Sequence, residues 1–172
     1  SELARRSLAT NFVKESVQLP SGRIPRDFAI VVTPHFNNSQ TEYENYNLCV
    51  SAAYRGVKLK EILPESEVSI FLKDYRGFGK RHYRWYKKAL DAGIHIERVE
   101  DLKIDPNKGE HVSLHYEKSE KSQNRSVGFA VLVTGQKSSQ NIKDLTRICG
   151  VKADENGFCH VREFSSCETD ID

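Results

Sequence analysis

Methionine is missing altogether from this chain of 172 residues, even at position 1. A sequence without Met that opens on Ser1 and stops on Thr169-Asp170-Ile171-Asp172 is expected to be a piece of a longer protein. Long apolar runs are missing too. Nothing approaches the ~20 residues that cross a bilayer as a helix, and no apolar stretch follows Ser1-Glu2-Leu3-Ala4-Arg5-Arg6 to act as a secretory signal, so a cytoplasmic location is expected. The cysteines Cys49, Cys149, Cys159 and Cys167 form no CxxC pair and fit no zinc or iron–sulfur ligand run, which leaves reduced thiols as the default. Neither sign of charge is in excess: 26 basic and 24 acidic side chains give a net +2, too balanced to argue for a phosphate-backbone partner. Gly and Pro are modest at 10 and 5, with 38% hydrophobic and 29% charged residues. That composition excludes collagen-like, coiled-coil and wholly disordered chains.

What is present is an alternation of apolar strands and helices. Residues 1–27 read as a lead-in segment, with Leu3, Leu8, Phe12 and Val13 among charges and a turn signal at Leu19-Pro20-Ser21-Gly22; residues 28–172 are then one domain. Phe28-Ala29-Ile30-Val31-Val32-Thr33 is a continuous apolar run, as a strand buried on both faces requires. The polar loop Pro34 to Ser39 leads into a helix over Glu42–Leu63, whose inner side is Tyr46, Cys49, Val50, Ala53, Val57, Leu59 and Ile62. Pro64-Glu65-Ser66 ends it, and Glu67–Leu72 is a second buried strand. Past Gly77 and Gly79, the residues Tyr83, Tyr86, Ala89 and Leu90 fall three and four apart, so Lys80–Ala92 is an amphipathic helix with Gly93 as its C-terminal cap. Ile94–Arg98 is a third strand.

The rhythm then changes to hairpins: Asp101–Ile104, His111–Glu117 and Arg125–Val133, with Lys118–Asn124 as a polar, mobile turn. The wholly apolar end of the last segment suits an interior strand. A short helix over Asn141–Ile148 and a final strand over Phe158–Val161 complete the chain. This order predicts an α/β, Rossmann-like three-layer domain: a central parallel sheet with right-handed crossover helices on one side and a β-meander on the other. It is the layout of a dinucleotide-binding domain in flavoprotein reductases of the two-dinucleotide kind.

A dinucleotide site of that kind needs GxGxxG after the first strand, because glycines permit the tight turn and let backbone amides reach the pyrophosphate at the helix N-terminus. Here the stretch is Val32-Thr33-Pro34-His35-Phe36-Asn37-Asn38, with no glycine. Pro34, His35 and Phe36 fill the pyrophosphate volume and Pro34 has no amide to offer, so the fold is expected without its usual ligand. The second loop interleaves Lys73, Arg76, Lys80, Arg81 and Arg84 with Tyr75, Phe78, Tyr83, Trp85 and Tyr86, at the carboxyl end of a strand where open α/β sheets bind ligands. Three readings of it stay open: a solvated helix face with aromatics turned inward, an anchor for a partner protein or a cofactor phosphate, and a stacking surface for single-stranded nucleic acid. The candidate cofactor- or partner-binding residues are Lys73, Arg76, Gly77, Gly79 and Lys80, with His35 and Asn37 from the first loop. No catalytic set and no metal site stand out. His111 and His115 share a strand face but lie roughly 13 Å apart at about 3.3 Å per residue, too far to share a metal.

The segment Glu67-Val68-Ser69-Ile70-Phe71-Leu72-Lys73-Asp74-Tyr75-Arg76-Gly77-Phe78-Gly79-Lys80, followed by Tyr83-Arg84-Trp85-Tyr86-Lys87-Lys88-Ala89, resembles the strand, Arg-x-Phe-Gly-Lys loop and helix of the A subunit of heterodisulfide reductase and its relatives, including quinone-interacting oxidoreductase subunits. Leu132-Val133-Thr134-Gly135, Gly150 to Phe158 and Thr169 to Asp172 are similar to the segment that leads back into the FAD domain in those flavoproteins. The resemblance implies a parent that is an FAD and iron–sulfur electron-transfer oxidoreductase, with this stretch as its nucleotide-domain-like lobe and the FAD fingerprint outside it. The family's cluster-ligating cysteines fall at Thr33, Glu44, Leu48 and Cys49, so the resemblance implies no cluster within these residues. The expected partners are the FAD domain of the same chain and other redox subunits, with no membrane; nucleic acid is kept only as an alternative. Two alternatives remain: a cryptic NAD(P)H-binding domain in which Lys73, Arg76 and Lys80 compensate for the lost loop, and a nucleic-acid-binding module.

Overall fold

Alternation along the two central strands sorts the core into two layers. In the computed structural model, which describes residues 19, 21–36, 42–75, 80–106, 111–135, 138–154, 157–162 and 168–169, the chain divides into two compact units, Ser1–Gly135 and Gln136–Asp172. In the first unit, β1 (Asp27–Val32), β2 (Glu67–Leu72), β3 (His95–Arg98) and β7 (Phe129–Val133) form a four-stranded parallel sheet in the order β3-β2-β1-β7. Helix α1 (Glu42–Ile62) links β1 to β2, and α2 (Lys80–Asp91) links β2 to β3. The strands β4 (Leu102–Pro106), β5 (Val112–Lys118) and β6 (Lys121–Val127) make a separate antiparallel meander.

Successive strand residues point to opposite faces. Phe28, Ile30, Val32, Val68, Ile70 and Leu72 therefore pack on the helices, against Cys49, Ala52, Ala53, Val57 and Leu59 of α1 and Ala89 of α2. Ala29, Val31 and Phe71 pack on the meander, against Leu102, Leu114, Tyr116 and Val127. The expected three-layer α/β architecture is present, with both helices on one side and the meander on the other. Ring burial marks the join, where Phe71 and Tyr116 meet edge to face at 5.3 Å. The inner side of α1 matches the expectation at Cys49, Ala53, Val57 and Leu59, with Val50 and Ile62 half-buried; the side chain of Tyr46 lies outside the described residues.

Several expectations are corrected. The inner side of helix α2 matches the expectation at Ala89, which is buried, and Tyr86, which is half-buried, but not at Tyr83 and Leu90, which are exposed at 64% and 47%; Trp85 is half-buried as well. Aromatic pairing sets this phase, with Trp85 edge-on to Tyr54 of α1 at 4.9 Å and Tyr86 against Tyr75 at 4.6 Å. Lys118–Asn124 is not a mobile turn. Ser119 and Glu120, at φ 52 and 61, form a two-residue hairpin turn, and the rest belongs to paired strands in register Lys118↔Lys121. Arg125–Val133 is two strands in different sheets, separated at Gly128. Among the described residues β7 pairs with β1 alone, so it ends the sheet rather than lying inside it, and Leu132 is exposed.

The second unit contains α3 (Gln140–Cys149), where the Ser139 hydroxyl caps the first turn by accepting from Ile142 N–H at 3.3 Å and Gly150 closes the last turn at φ 71. The expected strand over Phe158–Val161 is a single antiparallel bridge, Ala153↔Cys159. Among the described residues no helix is long and apolar enough to cross a membrane.

Candidate functional site

The apolar run of β1 ends at Val32, and the next residues make a tight 3-10 turn over Thr33–His35 with Pro34 in its first positions. Proline brings a fixed φ suited to that turn and no N–H. Pro34 is buried, Phe36 N–H closes on Thr33 O at 3.0 Å, and the Thr33 hydroxyl donates to Val133 O of β7 at 3.2 Å. The turn is thus tied down between two strand ends.

His35 bridges this turn to the loop after β2. Its Nδ1 accepts the backbone N–H of Lys73 at 3.1 Å, which in the neutral ring puts the proton on Nε2. Nε2 faces the Sγ of Cys49 at 3.8 Å, and that thiol donates to Asp74 O at 3.6 Å. A continuous chain of polar contacts therefore runs from α1 across the carboxyl edge of β1 and β2. Cys49 is fully buried beneath it. The Lys73 ammonium leaves the edge and lies 5.9 Å from the centre of the Phe36 ring, and Phe36 packs on the meander-side core.

Among the described residues this edge offers no free-amide cradle for a pyrophosphate. The pyrophosphate cradle requires free amides in a glycine turn. Here Pro34 has none, Phe36 N–H is committed within the turn and Lys73 N–H is committed to His35. The sulfur donors are equally sparse. Of the four positions at which the resemblance places cluster ligands only Cys49 is a cysteine, and among the described residues no three His, Cys, Asp or Glu side chains gather to hold a metal.

Of the sequence candidates, the structure brings His35 and Lys73 together, and Lys80 opens α2 with its side chain exposed. Asn37, Arg76, Gly77 and Gly79 lie outside the described residues. The partnership of His35 with Cys49 escaped sequence reasoning, since nothing in a spacing of 14 residues signals the contact. His115 is not near a second ligand; its Nε2 meets Asp105 Oδ2 at 3.3 Å on the meander. A cleft of about 470 Å³ opens instead at the amino ends of β1 and β7, lined by Arg23, Arg26, Asp27, His111 and Gly128 among others. It contains none of the candidates.

On the helix side, the basic-aromatic segment separates into two faces. Trp85 meets Tyr54 edge to face, and the Lys88 ammonium sits 4.7 Å over its ring. Lys80, Arg84, Lys87 and Lys88 are exposed on the outer face.

No protein-family model matches this chain, and no curated protein matches its sequence. Solved structures match it in fold. The HOCl-induced flavoprotein disulfide reductase RclA from Escherichia coli is similar at a TM-score of 0.52 and 13% identity, over 87% of this chain and 30% of that one. Thioredoxin reductase from T. acidophilum is similar at 0.52 and 14%, over 84% of this chain and 41% of that one. Lactococcus lactis thioredoxin reductase is similar at 0.51 and 13%, over the same shares of 84% and 41%. At such identities the likeness is one of fold: this is a Rossmann-type α/β domain of the kind found in flavoprotein reductases, and the chain spans 30–41% of the length of those proteins.

Proposed function

We propose that this chain is the nucleotide-domain-like lobe of a heterodisulfide-reductase-A-like FAD and iron–sulfur oxidoreductase, cytoplasmic, packing against the FAD domain of the same protein or against a partner redox subunit. The lobe carries out no chemistry of its own; flavin and clusters belong to the rest of the parent. The observation that carries this reading is an intact β3-β2-β1-β7 sheet with its meander, on which the turn after β1 is closed by Pro34 and by the His35–Lys73 hydrogen bond. Fold alone does not assign function, so the motif Lys73-Asp74-Tyr75-Arg76-Gly77-Phe78-Gly79-Lys80 supports the finer assignment.

Calorimetric titration of the chain with NADH and with NADPH tests it. No saturable heat is expected from either. Saturable binding in the micromolar range overturns the reading, and its loss in Arg76→Ala then assigns the site to the second loop. The gene on either side supplies a separate check of the parent: a GxGxxG upstream and a glycine-rich FAD segment downstream are expected, and their absence removes the flavoprotein assignment.

A further inference from the structure

Helix α2 is charged in a way that its own stability does not explain. Its sequence, KRHYRWYKKALD, holds five cations and one carboxylate, a net +4, in a chain whose total is +2, so the rest of the molecule is net −2. Lys80 stands in the first turn, which holds no acidic residue. The positive end of the helix macrodipole disfavours cations there. Lys80, Arg84 and Lys88 repeat at i, i+4, the spacing at which like charges repel. Among the described residues no carboxylate lies within ion-pair distance of Lys80, Arg84 or Lys87. Two local preferences are broken along this helix, and both are relieved by negative charge arriving from outside.

Apolar groups flank these cations. Tyr83 and Leu90 are the exposed large hydrophobic residues of α2, and Tyr54 of α1, 43% exposed, borders the Trp85–Lys88 stack. Exposed aromatics beside unpaired cations are the composition of a protein interface, in which a few aromatic and basic anchors carry most of the binding. We propose that the outer face of α2 docks an acidic surface of a protein partner, with Lys80, Arg84 and Lys87 facing its carboxylates and Tyr83 and Leu90 meeting its apolar groups.

Charge complementarity favours a protein over other anions. The basic strip is about 18 Å long for 12 residues, and a nucleic acid or an anionic bilayer extending past it meets a remainder that is itself net negative. Single-stranded nucleic acid also needs several open ring faces, whereas Trp85 is covered by Lys88 and edge-on to Tyr54. This inference does not depend on the redox assignment. It holds or fails on the surface of α2, whatever the NADH titration gives.

Poly-L-glutamate is the probe, titrated onto the full chain, with oligothymidylate and phosphatidylserine vesicles as the competing anions. Binding of poly-L-glutamate is expected to weaken between roughly 50 and 200 mM salt, as surface electrostatics require. The triple variant Lys80→Glu, Arg84→Glu, Lys87→Glu should bind at least about tenfold less tightly. The uncharged set Lys80→Gln, Arg84→Gln, Lys87→Gln should move in the same direction, with helix content by circular dichroism unchanged. A control that alters total charge equally, Lys103→Glu, Lys121→Glu, Arg147→Glu, should bind like the parent chain. The proposal is overturned by no binding of poly-L-glutamate, by equal losses in control and triple variant, or by tighter binding of oligothymidylate or vesicles at the same salt.

Discussion

Arg125 of β6 donates from Nη1 to the hydroxyl of Ser69 on β2 at 2.9 Å, across the boundary between the meander and the parallel sheet. Ser69 is fully buried, and Arg125 also pairs through Nη2 with Glu67. Removing the guanidinium strands a buried hydroxyl, which costs about 1–3 kcal/mol. Arg125→Ala should therefore lower the urea-unfolding free energy by that amount, whereas Ser69→Ala should cost less, because its partner keeps Glu67. In the double variant the two losses should fall short of their sum by about 0.5–2 kcal/mol. Strict additivity would mean that the contact does not hold the layers together.

Thiol reactivity reports on the closed carboxyl edge. Cys149 and Cys159 are exposed and Cys49 is buried under His35. Iodoacetamide followed by peptide mass spectrometry should find Cys149 and Cys159 modified in the native protein and Cys49 protected. His35→Ala removes the bridge to Lys73, worth about 1 kcal/mol, and should speed Cys49 modification roughly fivefold through local opening. Equal labelling of Cys49 and Cys149 in the parent chain would contradict the arrangement.

The centre of the parallel layer was legible because β1 and β2 are buried on both faces, so Glu67–Leu72 and the run from Phe28 to Val32 announce themselves without any alternation to decode. The meander was harder. Lys121–Val127 is a polar strand, buried only at Val127, and the turn Ser119-Glu120 lacks the Asn-Gly or Asp-Gly chemistry that marks such hairpins, so its residues read as loop. The inner face of α2 is only half legible, for a different reason. Tyr83 and Leu90 fit a helical period with Tyr86 and Ala89 as well as Trp85 does, and only packing against Tyr54 and Tyr75 decides between them. At the candidate site, the missing glycines were visible in the sequence. The His35–Lys73 bond, joining residues 38 apart, was not.

Alkaline pH should act on the bond between Lys118 of β5 and Glu97 of β3, where Nζ donates to Oε2 at 2.6 Å. That hydrogen bond, and then the charge of Glu97, raise the Lys118 pKa above its usual 10.5. With the folded-state value above the unfolded one, the pair's contribution is complete below pH 10.5 and is lost as pH rises through the raised value. Both side chains are partly exposed, at 43% and 22%, so solvent screening limits the effect to about 0.5 kcal/mol. In urea titrations Lys118→Met should be less stable than the parent by a constant margin from neutral pH to about 9, and the two should converge above 10.5. A margin that widens at high pH would refute the pairing.

Gly56 lies midway along α1, where a Cβ would sit 3.0 Å from Ile94 Cδ1, 3.5 Å from Ile30 Cδ1 and 3.6 Å from Ile70 Cδ1. The three isoleucines come from the chain at three neighbouring strands, so this one glycine sets how closely the helix approaches the sheet. Gly56→Ala gains about 0.5–1 kcal/mol of helix preference and loses a comparable amount to crowding against a methyl that can give only slightly. Gly56→Val adds two more carbons and a stiff side chain, and should destabilise by about 1–3 kcal/mol. The decisive variant removes the crowded atom. Ile94→Val alone should cost about 0.5–1.5 kcal/mol, but in the Gly56→Ala background the added Cβ occupies the space vacated by Cδ1, and the same substitution should cost about 0.5 kcal/mol less or become neutral. If Ile94→Val costs as much in the Gly56→Ala background as in the parent chain, the helix is not held against the sheet at this point.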